Sequence, residues 1–489
     1  MPTLEFCLPP EDAAALLRLP LLPRRSPRPA AADRVWHDTA GGALAAASLS
    51  LYEQKGVWRL ERAHPVPGEL WPPGTPAPLL GQGTDPVALV LEHGHALPGP
   101  LMPLAGFHGR QRVLTLPGDE DEPVTLTLLE GALRGVTREK PVCRLMLDGP
   151  APLLLTLSTT LAQSVRLSAP RWSLACEALA LARGYAPPAR HTGAPEVPPG
   201  ATLADAVALV LGHLADVILA GAPSAAEGHT PEPVHQMRVA VRRLRSALSV
   251  FRRAADGPAL QALGPALKHL GAVLGPARDW DVFLGGTGRA VGEALAEDKR
   301  VGAMLVAGAR RRNLAYAELK RMLEGPVFLQ LEVALVQVAA LRPWEAGADE
   351  EQAARLEGPA ADYATKLLER RLEQMLSPGP DITHLPIEDL HTLRKEGKRL
   401  RYAAEFFSPL YGRRSTKRFI ERLAVLQEAL GHLNDTAAAS ALMAGLGGGS
   451  DRAFAAGVVH GFIAAGIGNV RGEIERSWTK FRKQEPFWT

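Results

Sequence analysis

Apolar positions along this chain follow two rhythms, and the change falls near residue 187. Before it, short apolar runs at 87–91, 113–116, 124–129 and 142–147 are cut by Pro and Gly. Runs of that length predict strands. Two stretches, 11–19 and 152–165, predict helices instead. Beyond residue 201, apolar residues recur every three or four positions over 203–219, 234–251, 260–274, 299–323, 360–375, 390–407 and 417–430, which predicts long amphipathic helices. Between the two textures, 187–200 carries Pro187-Pro188 and Pro198-Pro199 and predicts a linker. The expected fold class is α+β and multidomain: a β-rich part at 1–186, the linker at 187–200, and an all-helical part at 201–489.

The helical part contains a repeat. His235-Gln-Met-Arg238-Val-Ala-Val-Arg242-Arg243-Leu-Arg245 returns 156 positions on as His391-Thr-Leu-Arg394-Lys395-Glu-Gly-Lys398-Arg399-Leu-Arg401. The same offset carries Phe251 onto Phe407, Leu274-Gly275 onto Leu430-Gly431, and Asp279 onto Asp435. One register held over that length predicts a duplicated helical unit with internal two-fold pseudo-symmetry, its copies at 201–345 and 358–489. On a helix, positions i, i+3, i+7 and i+10 fall within an arc of about 80°. His235, Arg238, Arg242 and Arg245 therefore share a face, as do His391, Arg394, Lys398 and Arg401. Val241, Leu244, Leu248 and Phe251 form the apolar stripe that faces a core.

Like charges stacked at helical spacing repel by a few tenths of a kcal/mol per pair, and a single basic stripe is usually a solvated face. Its duplication with matched His and Arg positions favours a functional reading. Arg offers planar forked donors suited to phosphate oxygens, and Lys a point charge. Each His stands near a helix start, after Pro231 and Pro233 in one copy and Pro386 in the other, where free N–H groups also favour anions.

Composition narrows the picture. The 489 residues are 46% hydrophobic but only 5% aromatic, and the formal net charge is +3. An anion-binding surface is therefore a local patch on a near-neutral protein. Cys7, Cys143 and Cys176 form no Cys-x-x-Cys pair and suggest neither a disulfide framework nor zinc. The opening residues carry no signal-peptide pattern. Residues 453–470 lack Asp, Glu, Lys and Arg, but their Ala- and Gly-rich makeup suits a buried bundle helix better than a membrane span. The expected location is the cytoplasm.

The paired His-x-x-Arg-x-x-x-Arg-Arg-Leu-Arg segments, with Leu274-Gly275-Pro276-Ala277-Arg278-Asp279-Trp280-Asp281 and Leu430-Gly431-His432-Leu433-Asn434-Asp435 after them, resemble the CHAD domain, the conserved-histidine α-helical domain. The resemblance covers roughly 200–485. It implies two pseudo-symmetric helical bundles whose basic central surface binds inorganic polyphosphate without catalysis. The contacts would come from His235, Arg238, Arg242, Arg243, Arg245, His391, Arg394, Lys395, Lys398, Arg399, Arg401 and Tyr402, and the protein could be carried to polyphosphate granules. Lys398 departs from its mate Arg242 by keeping charge but losing the fork. Asp279 and Asp435 are expected as ion-pair or capping partners of the basic helices, and Arg310-Arg311-Arg312 as solvated surface. Gly285-Gly286-Thr287-Gly288 lacks the Lys of a phosphate loop. Few aromatics accompany the motifs, Tyr402 excepted, which argues against nucleic acid as the partner.

A second resemblance lies at the N-terminal end. Leu4-Glu5-Phe6-Cys7-Leu8-Pro9-Pro10-Glu11-Asp12, with Trp36-His37-Asp38-Thr39, resembles a CYTH domain, the triphosphate tunnel fold. That implies an antiparallel barrel with inward Glu residues holding divalent metal, opened by Glu-x-Glu-x-Lys. Here the register gives Thr3, Glu5 and Cys7, and the later strand has Arg144 and Met146. Ser173-Leu174-Ala175-Cys176-Glu177 lacks the Lys expected after its serine. A divalent metal needs several oxygen ligands. The expectation is a tunnel fold without its metal site: no catalytic residues, no metal and no cofactor. The alternatives are a metal-dependent triphosphatase or polyphosphatase using the tunnel, and nucleic-acid binding through the basic surface. Neither oligomeric state nor chain-length preference can be read from the residues.

Overall fold

A computed structural model of the protein describes residues 1–489 apart from 24–26, 67, 118–121, 188–189, 383, 448, 467–469 and 489; the side chains of 387, 432–438 and 466 are likewise left undescribed. Nine strands form one antiparallel sheet: β1 (Thr3–Cys7), β2 (Ala30–Ala31), β3 (Arg34–Thr39), β4 (Leu49–Gln54), β5 (Val57–Arg62), β6 (Leu79–Gly83), β7 (Leu101–Leu116), β8 (Val124–Arg134) and β9 (Glu139–Asp148). Their order is β1-β9-β8-β7-β3-β4-β5-β6, with β2 beside β7.

The expected barrel takes the form of a curled half-barrel. β1 and β5 stand far apart in strand order, yet Arg34 on β3 acts on the carboxyls of both Glu5 on β1 and Glu61 on β5. The chain between β5 and β6 catches the free edge of β1, where the Glu5 N–H donates to the Gly74 carbonyl at 2.7 Å. Gly109 and Gly131 face each other across β7 and β8, and the Phe107 ring lies over both. A Cβ on either would sit 2.4 Å from a backbone carbonyl oxygen, so only glycine allows this approach.

Strand alternation sends Leu4 and Phe6 into the main core, while Glu5 lies toward Arg144. That core continues into the helices. Taken in chain order, the longer helices are α1 (Ala151–Ser164), α2 (Leu174–Arg183), α3 (Leu203–Glu227), α4 (Glu232–Phe251), α5 (Pro258–Gly285), α6 (Lys299–Leu323), α7 (Pro326–Leu341), α8 (Ala360–Leu376), α9 (Ile387–Phe407), α10 (Arg413–Ala444), α11 (Ser450–Gly466) and α12 (Val470–Arg482). The 156-residue offset carries α3 to α8, α4 to α9, α5 to α10, and α6 to the bent pair α11 and α12.

Where the copies meet, they meet through matched residues. Phe251 and Phe407 pack edge to face at 5.8 Å, with Tyr363 at 6.4 Å from each. One residue out of that register, the Leu203 N–H donates to Gly358 O and the Ala360 N–H to Ala201 O, about an antiparallel bridge between Thr202 and Pro359. Such self-complementary contact is what a two-fold axis requires.

α7 has no helix at the offset, and it docks the sheet. Its Glu332, 1% exposed, accepts from the Ala169 N–H and pairs with Arg171. Gln337 donates to Leu155 O, Ser158 Oγ and Thr159 Oγ1 on α1. Of the expected linker, residues 190–200 pack as a strap instead of hanging free: Val197 is fully buried, and the Arg190 guanidinium stacks on Trp172 at 4.2 Å.

Several sequence expectations are corrected. The run 87–91 is helical, within Pro86–Glu92, because Asp85 caps it by accepting from the Val87 and Ala88 N–H groups. The predicted helix at 11–19 is a 3₁₀ turn at Pro10–Asp12 followed by a single α-turn at Ala13–Leu16. α11 buries Ala455 and Val459 but exposes Phe454 and Phe462, so it is a peripheral helix with one buried face. Among the described residues α3 is the one unbent helix long and apolar enough, by length and composition, to cross a membrane, and 67% of its apolar window is buried inside the fold. The all-round apolar character of α3 is that of a helix wrapped by protein on most sides.

Candidate functional site: a seam between two basic helices

α4 starts behind Pro231, with Pro233 in its first turn, and buries Val234, Met237, Val241, Leu244 and Phe251. α9 starts behind Pro386 and buries Leu390, Leu393, Leu400, Ala404 and Phe407. With those faces held, each basic stripe is forced to the opposite side. The two stripes then face one seam. The Arg242 guanidinium lies 5.8 Å from the ring centre of Tyr402, a cation–π contact from one copy to the other. Lys398 sits among Arg394, Arg242, Arg238 and Arg401, and burial together with these four cations holds its amine down at about 8. The His235 imidazole also lies below its ordinary value, from burial first and then Arg278, with Arg242 and Arg238 adding to it against the pull of Glu232.

The expected site residues divide. Arg238, Arg242, Arg394, Lys398, Arg401 and Tyr402 come together, and His235 joins them from the start of α4. Arg238 also lies 3.3 Å from Asp279, the partner expected for it. Arg243 turns away: it donates to Gly193 O at 3.2 Å and to Glu405 at 3.0 Å. Glu405 also accepts from Arg401 at 2.7 Å, and Arg401 donates to Gln427. Arg243, expected as a phosphate contact, is thus placed as a strut between the copies, with its guanidinium engaged by Glu405. Arg399 is exposed and pairs with Glu396 beside it. Arg245 and Lys395 are exposed and His391 is half-buried; none of the three has an ion pair among the described residues. Asp435 lies outside the described side chains.

Three residues of the seam escaped the sequence reading as site members. Arg278 reaches His235 from α5; its place in the Leu-Gly-x-x-Arg-Asp segment was the available signal. Gly275 leaves room for Arg238, whose Nη1 would be 3.1 Å from a Cβ there, which explains a glycine inside a helix. Glu405 has no counterpart at the offset, where Ser249 stands, so the repeat could not reveal it. The Arg310-Arg311-Arg312 run is partly corrected. Arg310 and Arg311 are exposed, but Arg312 is bound at 2.6 Å to Asp281, which also accepts from Tyr316.

The half-barrel interior has the opposite electrostatics. Arg144, 2% exposed, lies 2.6 Å from Glu177 and 3.5 Å from Glu5, and Lys140 also reaches Glu177. Burial raises the carboxyls of Glu5 and Glu61, the latter to about 7. A guanidinium fixed between the carboxylates repels a divalent ion, so these residues do not fit the metal that the opening-strand signature implies.

Residues 209–444 match the family model described as the CHAD domain. No curated protein matches the chain. Among solved structures, the CHAD domain from the plant Ricinus communis is 29% identical, with 59% of this chain and 95% of that one covered and a TM-score of 0.48. PptA from Streptomyces chartreusis is 19% identical, with 57% and 99% covered and a TM-score of 0.42.

Proposed function

We propose that the protein, whose residues 209–444 match the CHAD-domain family model, binds inorganic polyphosphate along the seam between α4 and α9, and that it does so without catalysis. The observation that carries this reading is the company of Lys398: four arginines from two helices, at a place where Arg242, Arg394 and Lys398 have no ion-pair partner among the described residues. Cations held together without counter-ions raise the free energy of the empty protein, and a polyanion relieves that cost. A linear phosphate polymer matches a seam supplied from both sides, since successive phosphates can meet Arg238 and Arg242 of one copy and Arg394 and Lys398 of the other. The CHAD family is linked to polyphosphate, and the resemblance in the repeated motifs agrees with that link.

The tunnel alternative is disfavoured by Arg144, which occupies the space between Glu5 and Glu177. Nucleic acid is disfavoured because Tyr402, the aromatic of the seam, is buried with 6% exposure and already covered by Arg242, leaving it no face for base stacking. Recruitment to polyphosphate granules in the cytoplasm follows as part of the same proposal.

Titration of the full chain with long polyphosphate tests the reading. Arg242→Glu with Lys398→Glu is expected to weaken binding about 100-fold or more while leaving helicity intact. Triphosphate should bind far more weakly than the polymer, because it cannot span both copies. Unchanged affinity in the double variant would place the site elsewhere.

A further inference from the structure

Lys398 differs in kind from the other lysines of the chain. Lys140, Lys320 and Lys417 pair with Glu177, Glu324 and Glu421, and Lys395, one turn before Lys398 on α9, stands exposed. Lys398 alone is half-buried in a ring of guanidiniums: Arg394 and Arg401 from its own helix, and Arg238 and Arg242 from α4. Tyr402, one turn further along α9, fixes the Arg242 side of that ring. The carboxylates nearby are already taken, Asp279 by Arg238 and Glu405 by Arg243 and Arg401. A primary amine is thus held beside a group of guanidiniums, with no carboxylate paired to it among the described residues.

We propose that Lys398 is a site of N-acylation by small acyl phosphates, which the surrounding arginines capture by the phosphate group. This rests on the seam being a phosphate site, the reading given above. The lone pair of the neutral amine attacks the carbonyl carbon. The C–O bond to phosphorus breaks, orthophosphate leaves with that electron pair, and the amine proton passes to it, so the products are an amide and hydrogen phosphate. Neighbouring cations activate a lysine for this attack by favouring the neutral form. With the amine at about 8, roughly a tenth of it is neutral at pH 7, against roughly three parts in ten thousand for an ordinary lysine. The arginines also hold the donor within reach, which turns a bimolecular encounter into a local one. Acylation removes one charge from the centre of the seam and so weakens polymer binding.

The test treats the full chain with acetyl phosphate near pH 7.5 and follows acetylation at each lysine by peptide mass spectrometry. Lys398 is expected to react roughly ten-fold or more faster than Lys395. Inorganic phosphate should slow Lys398 and leave Lys395 alone. With a phosphate-free acetyl ester the advantage of Lys398 should shrink. Equal rates at Lys398 and Lys395 would overturn the proposal, as would an advantage undiminished with the phosphate-free ester. Lys398→Arg keeps the charge and should lose the mass increment from that peptide; Arg242→Gln should slow Lys398 without slowing Lys395. Two results separate this inference from the polymer reading. Tight polyphosphate binding with an inert Lys398 sinks the acylation and spares the polymer. Rapid, phosphate-sensitive acylation in a protein that fails to bind long polyphosphate does the reverse.

Discussion

The half-barrel interior and the helical seam both gather arginines, but they balance those charges in opposite ways. In the sheet region each buried charge has a fixed partner: Arg144 has Glu177 and Glu5, Arg183 has Asp38, and Arg171 has Glu332. In the seam, Arg242, Arg394 and Lys398 have none among the described residues, and Arg238 has only the half-exposed Asp279. Where charge serves the fold, the chain supplies its complement; in the seam, cations stand without one among the described residues. The struts Arg243 and Arg401, both anchored on Glu405, mark the boundary between these two uses within a single pair of helices.

The largest effect should come from breaking a balanced site. Arg144→Met leaves Glu5 and Glu177 facing each other in the sheet interior, and removing one partner of a buried ion pair costs about 3–5 kcal/mol. Urea unfolding would read that loss. Arg242→Met, by contrast, should leave the ligand-free protein within about 0.5 kcal/mol of the parent, because it removes repulsion as well as packing on Tyr402. Similar losses in both variants would erase the distinction between the two regions.

Glu405→Gln probes the boundary itself. It keeps the shape but removes the charge that Arg243 and Arg401 share, and charge-assisted bonds of this kind contribute about 1.5–3 kcal/mol. Stability should fall by an amount between those of the two variants above, while polymer affinity holds or rises as Arg401 is released toward the seam. A Glu405→Gln variant that binds polymer more weakly would show that the strut shapes the site.

The legibility of these features in the sequence was uneven, for physical reasons. The seam helices were readable because a repeated basic stripe requires an apolar stripe opposite, and Val241, Leu244 and Phe251 supplied it. α7 was not, because a helix buried on nearly all sides has little periodicity to detect. The helix at Pro86–Glu92 was mistaken for a strand on the strength of its short apolar run, although Asp85 and Pro86 together are a helix-start signal. Within the site, spacing put Arg242 on the shared face and left Arg243 to its side, but could not say what Arg243 holds. That depended on Glu405 and on Gly193 in the strap, residues distant in sequence and absent from the repeat.

Salt sharpens the comparison with a smaller but graded effect. Each cation that meets a phosphate displaces condensed counter-ions from the polymer, so affinity falls with the logarithm of salt concentration. Replacing Arg394 by Gln should make that slope shallower by about 0.7–0.9 if the single-strand and duplex values carry over to polyphosphate. Replacing Arg399, which is already paired with Glu396, should change it little. Equal changes for the two would mean that the polymer senses overall charge and not the seam.

The smallest effect is the most specific. The Lys398 amine titrates at about 8 in the folded protein, against the ordinary value of 10.5. Below pH 8 it is charged in both folded and unfolded chains, and its repulsion from Arg394, Arg242, Arg238 and Arg401 destabilises the fold in full. Between pH 8 and 10.5 the folded protein has released this proton while the unfolded chain still binds it, so this group makes stability rise with pH across that window. Lys398→Met has no such proton. The stability advantage of that variant, measured as the difference in urea midpoint, should therefore be greatest near pH 7 and shrink toward pH 10, other titrating groups cancelling between the two proteins. Saturating polyphosphate favours the ammonium, so polymer affinity should be full below pH 8 and fall above it, and with polymer bound the gap between the two proteins should narrow or reverse. Midpoints that run parallel from pH 7 to 10 would mean that Lys398 does not feel the four arginines, and with that the contrast between the balanced sheet and the unbalanced seam would lose its sharpest support.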